Sequence, residues 1–303
     1  MTPQTPSSPH PGAAGGPSRW SDLERPPLDA AALRRALVRP GGLWTALDVV
    51  PETGSTNTDL VERLRGGEPV AEGTVLVAEE QTAGRGRLDR YWDAPPRSGL
   101  FLSFVLHPGP AVPRAAWSWL PLLCGVGAAT ALARTAGVDT ALKWPNDLLA
   151  DVDGEERKVG GILAEHAGGA AGGEPGAVVV GVGLNVSLRA GELPVPGAGS
   201  LLLAGAARTD RDPLLRALLR GVEQWYGLWR GAGGDAAACR LQEAYAAGCA
   251  TLGRRVRAEL PGGGALSGEA VAVDGGGRLV VATADGTRQA VDAGDVVHLR
   301  PAR

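Results

Sequence analysis

The sequence predicts an α+β protein: a mixed β-sheet domain flanked by helices, followed by a small all-β domain. Three observations carry this expectation. Short β-branched and apolar runs, Thr74–Glu80, Leu100–Leu106 and Val178–Val186, are bounded by loop residues and read as buried strands. Longer stretches, Pro113–Gly137 and Asp212–Arg230, place apolar residues at helical spacing. From Thr251 the pattern changes to short alternating runs with glycine-rich turns, as a separate β domain requires.

In order, residues 1–42 read as an extension. Its first 27 residues are rich in Pro, Gly and Ser and are expected to be disordered. Leu28–Val38 has helical spacing and stops at Pro40-Gly41-Gly42. Leu43–Val50 is the first strand and opens the main domain, residues 43–250. Ser55 and Thr56 then offer capping hydroxyls, Asp59 follows in the first turn, Leu60, Val61 and Leu64 give an apolar stripe, and Gly66-Gly67 ends the helix. Residues 81–99 hang as a loop between two strands of one sheet. Pro113–Gly137 is a buried helix: its 17-residue uncharged run Trp117–Ala133 falls short of the ~20 residues of a membrane span and is broken by Pro121, Gly125 and Gly127. Ala141–Asp147 is a strand that must stop at Pro145, which has no N–H to donate. Asp153-Gly154 turns a hairpin whose return strand starts at Lys158. Ala167–Gly176 is a low-complexity loop, and Asp212–Arg230 and Asp235–Gly248 are amphipathic helices. The second domain spans residues 251–303.

Composition narrows the function. A net charge of -3 and a pI near 5.9 disfavour a nucleic-acid surface. Cys124, Cys239 and Cys249 are odd in number and lack metal spacing, which fits a reducing, cytoplasmic setting; no basic start with an apolar block marks export. No protein-only metal constellation is visible. Lysine occurs only at Lys143 and Lys158, arginine supplying the rest of the 30 basic residues, and asparagine only at Asn57, Asn146 and Asn185. In a chain this biased toward arginine, the positions that keep lysine are those where no substitute serves.

Gly84 and Gly86 alternate with Arg85 and Arg87, so two guanidiniums ride on a backbone able to approach an anion. The tripeptide alone also fits a solvated turn. It is no dinucleotide fingerprint, because Leu88 and Asp89 stand where a third glycine would be needed; Gly181-Val182-Gly183 fails likewise at Val186. Ser55-Thr56-Asn57 fits either a capped surface helix or a polar pocket wall.

Taken together and in order, Ser55-Thr56-Asn57, the GRGR loop at 84–87, KWPND at 143–147, RKVGGIL at 157–163 and GVGLNV at 181–186 make the chain resemble the biotin protein ligases from about residue 44 onward. The resemblance implies a biotin/lipoate ligase-like catalytic domain closed by an SH3-like barrel. It implies activation of biotin by ATP, with Mg²⁺ on the phosphates, to biotinyl-5′-adenylate. The biotinyl group then passes to a lysine of the biotin carboxyl carrier domain of an acyl-CoA or pyruvate carboxylase, with no nucleic-acid or membrane partner. By the same resemblance Ser55, Thr56, Asn57 and Gln81 face the ureido ring, and Gly84, Arg85, Gly86, Arg87 and Trp92 form a lid. Lys158 reaches the biotin carboxylate and the α-phosphate. Lys143, Asn146, Gly160, Gly161 and Asn185 complete the substrate sites, and Asp147 orients or deprotonates the acceptor amine, with Arg87 assisting the chemistry. The chain departs from the family in having Leu88-Asp89 where further glycine and basic residues are usual. Rival readings are a lipoate or octanoate ligase and a biotin-sensing regulator; the residues ahead of the first strand are too few for a winged helix.

Overall fold

The computed structural model describes residues 24–88, 90–167, 176–260, 264–292 and 295–298. The stretch before residue 24, expected to be disordered, and most of the 167–176 low-complexity loop lie outside these, as does Asp89.

α1 (Ala30–Leu37) is capped by Asp29, whose carboxylate accepts from Ala32 N, and buries Leu33 and Leu37. β1 (Ala46–Val50) leads into α2 (Thr56–Arg65), where Ser55 supplies the cap to Thr58 N. β2 (Thr74–Ala78) lies parallel to β1, with α2 as the crossover. The lid carries a short ribbon, β3 (Gly84–Arg85) paired with β4 (Tyr91–Trp92), before β5 (Gly99–Leu106). α3 (Trp119–Ala136) follows a single 3-10 turn and ends on Gly137 at φ 70°, the left-handed conformation that favours glycine. β6 (Thr140–Lys143) stops ahead of Pro145, as expected.

The sequence reading did not separate the next strand, β7 (Asp147–Val152), which turns back on β6. β7 then turns through Asp153 (φ 55°) and Gly154 (φ 80°) into β8 (Glu155–Ala167), the expected hairpin with a longer return strand. β9 (Ala177–Asn185) completes a seven-stranded sheet of order β1-β2-β5-β9-β8-β7-β6, antiparallel except for its first pair.

Both faces of this sheet are covered, which is why its strands read as nearly continuous apolar runs. α3 and α4 (Arg211–Gly231) pack on one face over Leu102, Phe104 and Leu106; α2 covers the other through Leu60 and Val61 against Leu76, Val105 and Val179. α3 and α4 touch backbone to backbone: a Cβ on Gly127 would sit 2.9 Å from Gly221 C. α5 (Leu241–Gly248) is the helical part of the second expected amphipathic helix, whose start at 235–240 forms turns instead.

The C-terminal part is a five-stranded antiparallel sheet of β10 (Arg255–Leu260), β11 (Gly264–Val273), β12 (Leu279–Ala282), β13 (Arg288–Val291) and β14 (Asp295–His298), in the order β13-β12-β11-β10-β14. This is the SH3-like unit expected at the C-terminus; among the described residues no ladder joins its edge strands β13 and β14. It grips the main domain through main-chain oxygens: Trp119 Nε1 donates to Gly275 O (2.8 Å), Trp144 Nε1 to Gly277 O (3.0 Å) and Ser118 Oγ to Gly276 O. Trp144 N donates to Thr251 Oγ1 (3.0 Å), which also meets His298 Nε2 at 3.0 Å.

From Glu24 the chain is laid against the sheet rather than disordered, with Arg25 buried and Leu28 in the core. The low apolar content that argued for disorder is offset there by charge pairing.

Candidate active site

A cavity of about 460 Å³ opens over β5, β9 and β8, roofed by the 85–93 loop. Its inner wall is neutral and polar. The start of α2 points Thr56 and Asn57 at the sheet, and both are buried with Ser55. Thr56 N and Oγ1 donate to Gln81 Oε1 at 2.9 and 3.1 Å; Thr56 Oγ1 and Ser103 Oγ are 2.6 Å apart, and Ser103 Oγ donates to Asn57 Oδ1 at 2.5 Å. Asn57 Nδ2 donates to Glu165 Oε2 at 2.8 Å. Asn57 can lie on the sheet because residue 181 is glycine: a Cβ there would stand 2.2 Å from Asn57 Oδ1. The motif is therefore both a helix cap and a pocket wall, the two roles left open by the sequence.

The opposite wall is charged. Lys158 rises from β8 at a register shift opposite Leu148 and Leu149, which turns its side chain toward the cavity. Lys158 Nζ lies 2.6 Å from Asp147 Oδ1 and 5.6 Å from the centre of the Trp92 ring. The lysine side chain is 37% exposed, so its ammonium remains reachable from the cavity. Its backbone is held by the 186–201 segment: Lys158 N donates to Gly197 O (2.9 Å) and Gly199 N to Lys158 O (2.8 Å).

The lid crosses above. Arg85 Nη1 pairs with Glu165 Oε1 at 3.1 Å, and Arg87 Nη1 donates to Asn146 Oδ1 at 3.4 Å; Asn146 Nδ2 in turn donates to Ile162 O at 2.9 Å. The Trp92 indole lies flat over two glycines, where a Cβ on Gly183 would be 2.8 Å and one on Gly161 3.1 Å from ring carbons. Leu88 and Tyr91 stand 67% and 86% exposed at the mouth.

Of the expected site residues, Ser55, Thr56, Asn57, Gln81, Arg85, Gly86, Arg87, Trp92, Asn146, Asp147, Lys158, Gly161 and Asn185 line this one cavity. Three do not. Gly84 sits beneath the lid, where a Cβ would be 2.4 Å from Trp92 O, and Gly160 is packed by Leu148 and Gly183 O. Lys143 lies outside the lining; the Arg254 hydrogen bond first, and Lys143 least, lower the pKa of Glu156, while burial, then Lys143, lower that of His298. Asn185 is 4% exposed and donates from Nδ2 to Gly199 O, so it shapes the 186–201 segment as much as it faces the cavity.

Residues 49–185 match the model of the biotin/lipoate A/B protein ligase family, and residues 251–299 that of the biotin protein ligase C terminal domain. The biotin–[acetyl-CoA-carboxylase] ligase of Mycobacterium tuberculosis is 44% identical over 282 residues, covering 92% of this chain and 98% of that protein. The chain belongs to the biotin protein ligase family.

Among other relatives in that family, the bifunctional ligase/repressor BirA of Bacillus subtilis is 31% identical over 249 residues, 81% of this chain and 71% of its own length. The biotin protein ligase from Aquifex aeolicus, solved in complex with biotin and ATP, superposes with a TM-score of 0.67 at 27% identity, covering 85% of this chain and 100% of that one. In this biotin protein ligase fold the cavity also takes in residues that the sequence reading passed over. Ser103 carried a signal, being the lone polar residue in the run Leu100–Leu106. Pro194, Val195 and Ala198 carried none, because only the return of the 186–201 segment brings them to the site; Glu165 likewise carried none and stands behind the wall as the partner of Asn57 and Arg85.

Proposed function

We propose that the chain joins biotin to ATP as biotinyl-5′-adenylate and transfers the biotinyl group to a lysine of a biotin carboxyl carrier domain. A carboxylate oxygen of biotin attacks the α-phosphorus and pyrophosphate leaves. The acceptor amine then attacks the carbonyl of the mixed anhydride, AMP leaves, and an amine proton is lost. The observation that carries this reading is one cavity with two unlike walls. Neutral hydrogen-bonding groups of Thr56, Asn57, Gln81 and Ser103 suit a ureido ring, and Lys158 with the arginine-bearing lid suits two anions pressed together.

In this reading Lys158 places a compact ammonium between the biotin carboxylate and the α-phosphate, a position a planar guanidinium fills poorly. Arg85 and Arg87 close over the adenylate and keep water from the anhydride. Asp147, released from Lys158 as the ammonium turns to phosphate, orients or deprotonates the acceptor amine. Among the described residues no set of three or more His, Cys, Asp or Glu gathers as a metal cage. Mg²⁺ would therefore ride with the ATP phosphates, supplying charge neutralisation, with Asp147 and Asp93 the carboxylates on the cavity wall. Residues 43–250 are assigned the chemistry and residues 251–303 the closing unit. The acceptor is expected on an acyl-CoA or pyruvate carboxylase, in the cytoplasm, with neither nucleic acid nor membrane as partner.

The deciding experiment is mass spectrometry of a carboxyl carrier domain incubated with the protein, biotin and Mg-ATP. A single biotinyl adduct on one lysine is expected. Modification by lipoate or octanoate in preference to biotin, or no adduct on any carrier, would overturn the assignment.

A further inference from the structure

The segment ahead of the family-matched region is tied to the arc that leads into the cavity wall by a part-buried fork of hydrogen bonds. Arg25 is 7% exposed although the family match begins at residue 49. Its Nη1 and Nη2 donate to Glu192 Oε1 and Oε2 at 3.1 and 2.5 Å, and Nη2 also donates to Ser187 O at 2.8 Å. Glu192 accepts a further bond from Arg189 N at 2.8 Å, and Arg189 pairs with Glu24. A guanidinium is withdrawn from water only where its donors are met, and a two-pronged contact with a carboxylate fixes direction as well as distance. The strap is itself pinned: Arg211 donates to Pro26 O at 2.6 Å and to Glu79 Oε2 at 2.6 Å, while Leu28 N donates to Glu79 Oε1 at 2.7 Å.

The arc that Arg25 grips continues into the cavity wall. Pro194, Val195 and Ala198 line the cavity, and the same limb clasps the Lys158 backbone on both sides through Gly197 O and Gly199 N. We infer that Arg25 is a positioning residue. Through Glu192 and Ser187 O it fixes the 187–199 arc, and through that arc the main chain of Lys158, at the placement adenylate formation requires. The inference rests on the role of Lys158 given above. Arg25 touches no reacting atom, so its effect falls on geometry.

The test uses the full chain with Arg25→Ala, Arg25→Lys, Glu192→Gln and the double variant Arg25→Ala/Glu192→Gln. Arg39→Ala serves as control, since that guanidinium is 55% exposed and 3.5 Å from Glu223. Hydrogen exchange by mass spectrometry follows peptides across 187–199, pyrophosphate release gives kcat, and isothermal titration gives the biotin Kd. Arg25→Ala should exchange faster in 187–199 but not in β10–β12, and should lose roughly 10- to 100-fold in kcat, the cost of a misplaced reacting group, with biotin Kd unmoved. Arg25→Lys should fall between, because an ammonium cannot fork, and the double variant should be no worse than the worse single. Wild-type exchange and kcat in Arg25→Ala, or singles whose effects multiply, would overturn the inference. Should Arg25→Ala fail to fold, Glu192→Gln decides alone, since its side chain is 27% exposed and leaves Arg25 an acceptor: lost kcat with faster exchange supports the strap, wild-type values overturn it. A wild-type chain that releases no pyrophosphate strikes at the ligase reading instead, and the exchange data then judge the strap.

Discussion

At the scale of single residues the site depends on a lysine that a strongly arginine-biased chain has kept. Lys158→Arg would set a wider, planar cation against Asp147 and Trp92, where the ammonium now sits 2.6 Å from Oδ1 and 5.6 Å from the ring centre. Adenylate formation should fall by about 10²- to 10³-fold in a pyrophosphate-release assay, while biotin binding by titration largely survives. Arg87→Gly tests the lid: it removes the reach to Asn146 and should let adenylate escape, seen as biotin on bystander lysines of a non-substrate protein. Much of this level was legible in the sequence, because scarce residue types mark positions with few substitutes. Asn57, Asn146, Asn185 and Lys158 all lie on the cavity wall. Lys143 is the instructive exception, since scarcity flagged it equally, yet it lies outside the cavity lining. Arg25 went unnoticed because one arginine among many carries no compositional signal.

At the scale of elements, glycines in β8 and β9 decide what can lie on the sheet. Gly181→Ala would put a methyl 2.2 Å from Asn57 Oδ1, and the amide must leave its bonds to Ser103 and Glu165. The KM for biotin should rise about tenfold or more, with kcat changed less, and the strand itself should keep its fold by circular dichroism. Sequence periodicity found the long strands and helices, since two covered faces leave an unbroken apolar run. It merges β6 with the start of β7, because the turn between them is only three residues long, Trp144 to Asn146, and carries a weaker turn signal than Asp153-Gly154. The β3–β4 ribbon, two residues on each side, is below what any periodicity can register.

At the scale of the whole molecule, the C-terminal sheet is joined to the catalytic hairpin by a small polar knot. Arg254 forks onto Glu156 at 2.5 and 2.6 Å and donates to His298 Nδ1 at 3.3 Å, leaving Nε2 to meet Thr251 Oγ1. Burial, then Lys143 and Arg254, push the His298 pKa down from 6.5 to about 4. The unfolded chain therefore binds the extra proton first. This contribution to stability is complete above pH 6.5 and is lost as the pH falls through about 4. A melting series across that window should show Tm falling more steeply for wild type than for His298→Gln; equal slopes would remove His298 from the acid response. None of this junction was legible beforehand, because its partners are separated by tens to more than a hundred residues along the chain.

Further contacts of that junction are made by the carbonyl oxygens of residues 275 to 277, which receive the indole N–H groups of Trp119 and Trp144 and the hydroxyl of Ser118. Main-chain oxygens are common to every amino acid, so these contacts place almost no demand on which side chains the loop carries. Position 275 has open space for one, while position 277, at φ 76°, keeps its glycine. This loop is thus free to drift in sequence across descendants, and one grafted from a distant cousin should receive the two indoles as well as the resident one, provided that it bends alike and the Arg254–Glu156–His298 knot is kept.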